Sequence, residues 1–581
     1  MRYRRYILTS IFTFWAIVVA QAQRLDAEYY DYPLRGVAGY YSSNFGEMRT
    51  NHFHSGVDFK TDGVEGKEVV AVADGYVNRI FLSPSGYGLA LYVTHPNGTM
   101  SVYAHLKQFR KDIADYVFAE RHRQKRHRVD LYCQPGQFKV RRGEVIALSG
   151  NSGSSGGPHL HFEIRNAATH KPLNIIAAGL FAPKDDISPL IRRLHYVEVD
   201  SVGGVARHSR RISFDVMRRE GAIYSLKDTL PIEVGRKGYF IVEVSDRKND
   251  TQNRYGIYHL EAEVDDEVYF EYRNDGFTFD QTRYCNAVAY YPLQRSSKSE
   301  VIRLAGVQGG INNFYPTLVD NGVITTREGS RHAMRIKVTD DCLNTSTLEF
   351  AILGKPDKEC FVGEVPDSGQ IAWFDRVFSA EADGVVGVTI PAKSLYESTE
   401  VALKRSDVTI KADSTIILLS DVYTIGDRNI PLHKAMTIDF HCPVEQSLES
   451  HTAIASVSEK GTVGFVGGTL RNSHISQKCS SFGDFCVVAD CTAPTITPNF
   501  KRGADCRERK SITFALKDNF SGIASYNATI DGRWVAVDFQ HGRASINLVD
   551  EGVTGGAEHS VVFTATDSCG NKTSWKGTFL R

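Results

Sequence analysis

A glycine-rich loop that runs directly into an alternating strand constrains the fold of this chain more than any other feature. Residues 150–158 contain four glycines and end in proline, and residues 159–165 read His-Leu-His-Phe-Glu-Ile-Arg. Because side chains alternate between the two faces of a strand, His159, His161 and Glu163 share one face and the intervening apolar side chains share the other. The pattern predicts a strand with one face in the core and two imidazoles on the opposite face, roughly 6.5–7 Å apart.

An upstream segment offers further metal ligands. It reads His-Phe-His-Ser-Gly-Val-Asp from His52 to Asp58. Zinc binds imidazole nitrogen and carboxylate oxygen, and catalytic zinc sites use three protein ligands plus water. His54, Asp58 and one histidine of the later strand would complete such a set. Each short pattern alone is more often an ordinary surface or cleft histidine, but here both occur in the same chain.

A third element lies between these two segments and reads Ser-Val-Tyr-Ala-His-Leu. Alternation predicts Val102, Ala104 and Leu106 on one face of a strand, with Tyr103 and His105 on the other. His105 is therefore expected to face the same cleft as the other histidines.

With these three motifs, residues 36–175 resemble the lysostaphin/LytM-type zinc endopeptidases, which cut peptide crosslinks in bacterial cell walls. The resemblance covers about a quarter of the chain. It implies one zinc ion per chain, bound by His54, Asp58 and His161, with His105 and His159 as catalytic histidines. It also implies an exported metalloendopeptidase that hydrolyses peptide bonds in peptidoglycan stem peptides or crosslinks.

Two other functions stay open beside this one. The protein could be a catalytically silent activator of other wall hydrolases, or a secreted protease that acts on proteins. All five polar positions of the motifs are present, which favours the enzyme over the activator. The chain has no His-Glu-x-x-His motif, so a thermolysin-type site with a glutamate base is excluded.

Three neighbouring polar residues are interpreted more cautiously. Glu163 either orients a ligand histidine or is a solvent-facing carboxylate. His52 is interpreted as a cleft-edge residue, because the spacing to Asp58 selects His54. His95 lies in a predicted hairpin turn, and turn chemistry explains it.

The fold class predicted for the chain is mainly β. An N-terminal antiparallel β-sheet peptidase domain precedes about three immunoglobulin-like β-sandwich modules, because short alternating runs separated by turn residues dominate after residue 193. Residues 335–344 and 562–571 resemble each other, each with a strand, an Asp-rich turn and an Asn. The predicted domains are 24–180 (with an insertion at 107–142), 193–355, 356–490 and 491–581.

Charge and the chain start bear on partners and location. Lys plus Arg equals Asp plus Glu at 68 each, so no nucleic-acid partner is expected. The basic run at 121–128 is predicted to be a solvated face rather than a site for anionic wall polymer. Residues 1–22 are predicted to be a signal peptide with an Ala-x-Ala cleavage site. No later stretch is long and apolar enough to predict a membrane span. The expected location is the periplasm, the cell envelope or the extracellular space, with envelope protein partners available through the β modules.

Ten cysteines permit disulfides in an exported chain. A local bridge is expected within the group Cys479, Cys486 and Cys491, while the alternative is that several are buried thiols. The peptidase segment has its own motifs, so a fragment of about residues 24–190 is expected to keep the zinc site. The alternative is that the enlarged segment 107–142 packs on a β module, which would then complete the active cleft.

Overall fold

A computed structural model describes residues 25–364, 370–411 and 413–581, and the fold is mainly β, as predicted. The predicted signal peptide at residues 1–22 lies outside the described residues. Within the described ranges, no helix has the length and apolar character needed to cross a membrane. The strands fall into four groups along the chain, named the first to fourth β regions below. The predicted domain boundaries themselves stay a prediction.

The first β region contains twelve strands: ten form an antiparallel sheet in which β12 lies between β4 and β8, and β2 and β3 pair only with each other. Its strands are β1 Tyr41–Ser43, β2 Met48–Arg49, β3 His52–Phe53, β4 Val57–Lys60, β5 Glu68–Val70, β6 Gly75–Leu82, β7 Leu89–Thr94, β8 Thr99–Phe109, β9 Val129–Tyr132, β10 Lys139–Val140, β11 Val145–Ser149 and β12 His159–Asn166. Leu160, Phe162 and Ile164 are fully buried in one core. The alternation predicted for β12 is therefore confirmed.

The second β region forms a thirteen-stranded sheet in which β16 and β17 pair with β25 in parallel. Its elements are β13 Leu190–Val202, β14 Val205–His208, β15 Ile212–Arg218, β16 Ile223–Leu226, β17 Ile232–Val234, β18 Lys237–Ser245, β19 His259–Val264, β20 Glu267–Arg273, α2 Cys285–Val288, α3 Tyr291–Gln294, β21 Glu300–Arg303, β22 Thr317–Leu318, β23 Ile324–Thr325, β24 Arg331–Thr339 and β25 Thr345–Gly354. One continuous apolar core runs from Leu25 to Ile352 and joins the first two regions.

The third and fourth β regions each have a core of their own. The third contains β26 Ile371–Ala372, β27 Phe378–Ala382, β28 Val386–Ile390, β29 Thr399–Glu400, β30 Leu403–Arg405, β31 Ile416–Leu418, β32 Tyr423–Ile425, β33 Pro431–His441, β34 Thr452–Val457, β35 Val463–Gly467, β36 Thr469–Arg471, β37 His474–Ser481 and β38 Gly483–Asp490. The fourth contains β39 Thr495–Pro498, β40 Ala504–Asp505, β41 Ser511–Lys517, β42 Ile523–Ile530, β43 Arg533–Trp534, β44 Asp538–Gln540, β45 Arg543–Asn547, β46 Glu558–Asp567 and β47 Lys572–Leu580.

The predicted insertion carries the longest helix, α1, at Lys111–Gln124. Its buried positions Ile113, Val117 and Arg121 are four residues apart and so share one face. Arg121 donates to the carbonyl of Val537 at 2.9 Å and pairs with Asp538 at 2.8 Å. The basic run was predicted to be a solvated face, and this is wrong for Arg121, because α1 docks on the fourth β region.

All ten cysteines lie within the described residues and are free thiols. The predicted local bridge among Cys479, Cys486 and Cys491 is therefore wrong. Cys479 lies on β37 and packs in the main core of the third region, whereas Cys486 on β38 packs in a separate cluster with Val457. Cys491 is exposed. The first two thiols point into different cores, which accounts for the missing bond.

Candidate metal centre and its histidine neighbours

Three side chains from two adjacent strands and the turn before β4 converge on one point. Strand pairing places His161 of β12 directly opposite Asp58 of β4, so both side chains project from the same face. Asp58 Oδ1 lies 2.9 Å from His161 Nδ1 and 3.1 Å from His54 Nε2, and the two ring nitrogens are 3.1 Å apart. All three residues are at least nine-tenths buried. The structure thus brings together His54, Asp58 and His161, the three ligands that the resemblance implies.

Gly56 allows this convergence by its lack of a side chain. A Cβ at this position would lie 2.4 Å from the Phe162 carbonyl oxygen and 2.9 Å from the His161 ring. Both distances are shorter than real Cβ contacts allow, so any other residue would push β12 away. The glycine between the two upstream ligands therefore sets how close the later histidine comes.

Hydrogen bonds on the far side of each imidazole fit this set to a metal ion. His54 Nδ1 lies 2.7 Å from the Asn44 carbonyl oxygen, and His161 Nε2 lies 2.7 Å from Glu163 Oε1. These oxygens accept, so the facing nitrogens carry protons, which leaves His54 Nε2 and His161 Nδ1, both directed at Asp58, as the nitrogens available to a metal ion. Zinc-binding histidines are held in the same way by an acceptor behind the ring. The donor set of two imidazoles and one carboxylate matches zinc chemistry.

The pKa values of this cluster show how the protein balances its charge when no metal is bound. Burial lowers the pKa of His161, but hydrogen bonds to Asp58 and Glu163 outweigh burial and raise it to about 9. Burial raises the pKa of Asp58, but the neighbouring histidines lower it well below its usual value. Without a metal ion, His161 Nδ1 therefore carries a proton that it donates to Asp58, and a metal ion would displace this proton to use the same nitrogen.

His105 reaches the same face of the sheet through a β-bulge that the sequence did not reveal. Leu91 pairs with Tyr103 but Leu89 pairs with Leu106, so β8 has one extra residue here, and His105 has a φ of 58°. Tyr103 and Leu106 consequently share a core, whereas Val102 and Ala104 belong to another cluster. The predicted alternation through Leu106 is wrong, and so is the shared face of Tyr103 and His105.

His105 and His159 are neighbours beside the three converging side chains. Their ring centres are 4.7 Å apart, and His159 Nε2 lies 3.6 Å from Asp58 Oδ1. Each ring donates from Nδ1 to a backbone carbonyl at 2.8 Å, of Ser152 and Gly157 respectively, which leaves each Nε2 with a free lone pair. Burial and the neighbouring histidine charges lower the pKa of His105 to about 4, and burial also lowers the pKa of His159. Both rings are neutral near pH 7 and can accept a proton.

Glu163 supports His161 rather than facing solvent, which decides between the two alternatives left open by the sequence. It is 1% exposed and accepts from Tyr87 at 2.7 Å and Ser55 at 2.9 Å. Its other oxygen accepts from Arg165 Nε at 2.5 Å. Arg165 is four residues after His161 on β12, so both side chains project from the same face. Alternation could therefore have identified Arg165 as the partner of Glu163. Tyr87 lies in a glycine-flanked loop without a sequence signal.

The remaining histidines of the motif segments do not join the centre. His52 is exposed and contacts the Thr50 carbonyl oxygen at 3.0 Å, in keeping with an edge position. His95 is 3% exposed and lies in the turn between β7 and β8, where its ring forms hydrogen bonds with the Asp74 carbonyl oxygen and Ser101 Oγ. Sequence reasoning did not identify Arg49, whose Nη2 lies 3.7 Å from Asp58 Oδ2.

The fourth β region borders the glycine loop that precedes His159. Gln540 Oε1 accepts from the Gly153 amide at 2.9 Å, and His541 Nε2 contacts the Asn151 carbonyl oxygen at 3.0 Å. A cavity of about 350 Å³ lies between the two regions, lined on one side by Leu106 and Ser152. The fourth β region therefore forms one edge of the surface next to the loop that precedes His159.

Two parts of the chain match known families. Residues 52–121 and 125–175 match peptidase family M23, and residues 372–490 match the Zu5-like domain. The first match contains all five polar residues of the centre.

Known proteins are similar to this chain over part of its length. The DD-carboxypeptidase/endopeptidase Mpg of Neisseria meningitidis is 31% identical over 137 residues, which are 24% of this chain and 25% of that protein. The murein hydrolase activator EnvC of Escherichia coli is 35% identical over 103 residues, 17% of this chain and 18% of its own. A zinc-containing peptidase from Vibrio cholerae is 27% identical, with coverage of 25% and 37% and a TM-score of 0.19. The chain thus spans about a quarter or less of the curated relatives named here.

Proposed function

Because this chain carries a peptidase family M23 domain, we propose that it is an exported zinc-dependent endopeptidase that hydrolyses peptide bonds in peptidoglycan. One observation carries the proposal. Two neutral histidines with free Nε2 atoms lie beside a converging His-Asp-His set, so proton-transfer groups and metal ligands occupy one site. His54, Asp58 and His161 would hold the zinc ion, and His105 and His159 would move protons.

The chemistry divides between the metal and the chain. Zinc would act as a Lewis acid and lower the pKa of a bound water toward about 7. The chain supplies the proton acceptors: either free Nε2 can take up a proton, and the imidazolium so formed can return it to the leaving amine. A proton on His159 would be stabilised by Asp58, 3.6 Å away. Glu163 and Asn44 keep the ligand rings in one orientation.

The substrate and location rest on weaker support. The similarity to Mpg, whose name describes a DD-carboxypeptidase/endopeptidase, favours stem peptides or crosslinks as the substrate. The signal-like sequence at residues 1–22 supports export to the periplasm or cell envelope. The β regions that follow the peptidase segment would bind envelope proteins or present the wall polymer.

The similarity to EnvC supports one competing function, activation of another hydrolase without catalysis. Purified zinc-loaded protein should release fragments from peptidoglycan by itself, lose this activity with a chelator, and leave a denatured unrelated protein intact. His159→Ala is the matched control, since it removes a proton acceptor while the three ligands remain. Zinc-loaded protein that releases nothing alone, but increases release by a separate wall hydrolase, would establish the activator function instead.

A further inference from the structure

A second group of carboxylates lies where the third β region meets the fourth. Asp490 is the last residue of β38, Asp518 follows β41, and Asp567 ends β46. One carboxylate oxygen from each lies within 4.8 Å of the other two. Asp490 is fully buried and Asp567 is 2% exposed. The cluster is built from two regions, so it joins them.

Two oxygens of this cluster are buried without a hydrogen-bond partner in the described part of the chain, Asp490 Oδ2 and Asp518 Oδ1. The donors to the other oxygens are neutral, such as the Gly522 amide at 2.7 Å from Asp518 and the Asn571 amide group at 2.8 Å from Asp567. Among the described residues, no basic side chain forms an ion pair with any of the three aspartates. Asp490 and Asp567 are buried carboxylates without a counter-charge, which is strongly unfavourable in a protein interior, so this arrangement calls for a cation.

The chain contains a second version of the same arrangement in the second β region, at residues that precede β13 and follow β18 and β24. There Asp185, Asp246 and Asp340 bring their oxygens equally close. Asp340 begins an Asp-x-Cys-x-Asn turn, and Asn344 donates to Asp340 Oδ2 at 2.9 Å and to the Asp185 carbonyl oxygen at 3.3 Å.

The fourth region repeats this pattern. Asp567 also begins an Asp-x-Cys-x-Asn turn, and Asn571 donates to Asp567 and to the Asp490 carbonyl oxygen at 2.7 Å. Asp185 and Asp490 each precede a proline by four residues. The similarity between residues 335–344 and 562–571 thus extends to a three-aspartate site.

The two versions differ in the charged groups beside them. In the second region, the ammonium of Lys248 is 2% exposed, bonds to Asp341, and lies 3.5 Å from Asp185 and 3.6 Å from Asp246. The fourth region has Ser568 where the second has Asp341, and among the described residues no lysine forms an ion pair with its cluster. Lys248 is two residues after Asp246, and the residue two after Asp518 is Phe520. The protein therefore supplies an internal cation to one cluster, whereas the matching sequence position of the other is Phe520, whose ring packs against Phe465.

We propose that Asp490, Asp518 and Asp567 bind a calcium ion, which links the third β region to the fourth. Calcium binds carboxylate, carbonyl and water oxygens in flexible shells of six to eight ligands. The cluster offers carboxylate oxygens alone, which suits calcium better than zinc or copper. This site is separate from the His-Asp-His centre and does not depend on the proposed peptidase function.

Calcium titration of the full-length chain, loaded with zinc beforehand, tests the site. Wild-type protein should bind one calcium ion with a Kd of about 10⁻⁴–10⁻³ M, the range of extracellular calcium modules, and its melting temperature should rise with calcium. Asp518→Asn should weaken binding at least about tenfold, in line with loss of one charged ligand. Asp505→Asn, which removes an exposed carboxylate from the same region, should bind calcium like the wild type.

A reciprocal variant keeps the test decisive if Asp518→Asn fails to fold. Phe520→Lys introduces a lysine at the sequence position that matches Lys248, two residues after Asp518. Its ammonium would compete with calcium for the carboxylates, so the folded variant should not bind calcium, and its melting temperature should not respond to the ion. The proposal would be overturned by folded wild-type protein that binds no calcium up to about 10 mM, some tenfold above the weakest expected Kd. Unchanged calcium affinity in folded Asp518→Asn or Phe520→Lys protein would overturn it as well.

Discussion

Replacing Glu163 with glutamine tests whether the residue behind His161 controls metal affinity. The carboxylate lies 2.7 Å from His161 Nε2 and is fully buried, so its charge acts on the ring without solvent screening. Glutamine keeps the size and one acceptor oxygen but removes the charge, which makes the imidazole a weaker base. Loss of such a supporting group typically lowers metal affinity 10–100-fold, which corresponds to about 1.4–2.7 kcal/mol.

The same substitution leaves the buried guanidinium of Arg165 without its ionic partner. Breaking a buried ion pair by removal of one partner costs about 3–5 kcal/mol, and the single glutamine oxygen cannot accept from both His161 and Arg165, which bond to different oxygens of Glu163. We therefore expect a lower melting temperature together with weaker zinc binding. The two effects are separable, because zinc affinity is measured on the folded variant at a temperature below its transition.

Competition with a zinc indicator gives the affinity, and Glu243→Gln is a matched control. Glu243 lies 2.9 Å from His195 Nε2 in the second β region, so it also belongs to a histidine–glutamate contact, but one outside the proposed centre. Its substitution should leave zinc affinity unchanged. Folded Glu163→Gln protein with wild-type zinc affinity would refute the role given to this carboxylate.

Three further predictions concern the same centre. His161→Ala should abolish stoichiometric zinc binding, whereas His159→Ala and His105→Ala should retain zinc and lose about 10²–10⁴-fold in turnover. Metal analysis and peptide hydrolysis distinguish these outcomes. Equal zinc loss in all three variants would reverse the roles given to His159 and His161. In the zinc-free protein, the pKa of His161 is raised to about 9, so its stabilisation is complete below pH 6.5 and is lost as the pH rises through 9. This contribution is about 3 kcal/mol, and denaturant unfolding from pH 6 to 9.5 should show a fall that His161→Gln lacks. A fragment of residues 24–190 should bind zinc more weakly than the full chain, as equilibrium dialysis would show, because it exposes the core shared with the second region; equal affinity would mean that this packing does not support the centre.

Local patterns in the sequence predicted the centre because its residues lie on short, regular elements. Alternation placed His161 and Glu163 correctly, since β12 is regular from end to end. His105 was assigned to the right site for the wrong geometric reason, because the extra residue in β8 depends on its pairing with β7. Asn44 lies in no recognisable sequence motif. Its carbonyl oxygen reaches His54 only because of how the chain folds between β1 and β4.

Contacts between distant regions could not be predicted from the sequence. The expectation that a fragment of residues 24–190 keeps the zinc site was made without knowledge of the core shared with the second region. Asn44 also donates to the Gly256 carbonyl oxygen and to Asp341 in that region. The burial of Arg121 depends on Asp538, more than 400 residues later. Neither contact follows from composition or periodicity, because both require the relative placement of whole β regions.

Digestion of purified peptidoglycan in ¹⁸O-labelled water is the most direct test of the central claim. Hydrolysis of a peptide bond places one oxygen of water in the new carboxyl group, and mass spectrometry of the released fragments identifies that group. Zinc-loaded wild-type protein should give new ¹⁸O-labelled carboxyl ends within stem peptides or crosslinks, and His159→Ala protein at least about 10²-fold fewer. Zinc-loaded, folded wild-type protein that generates no labelled ends would contradict the assignment of this centre as a wall endopeptidase.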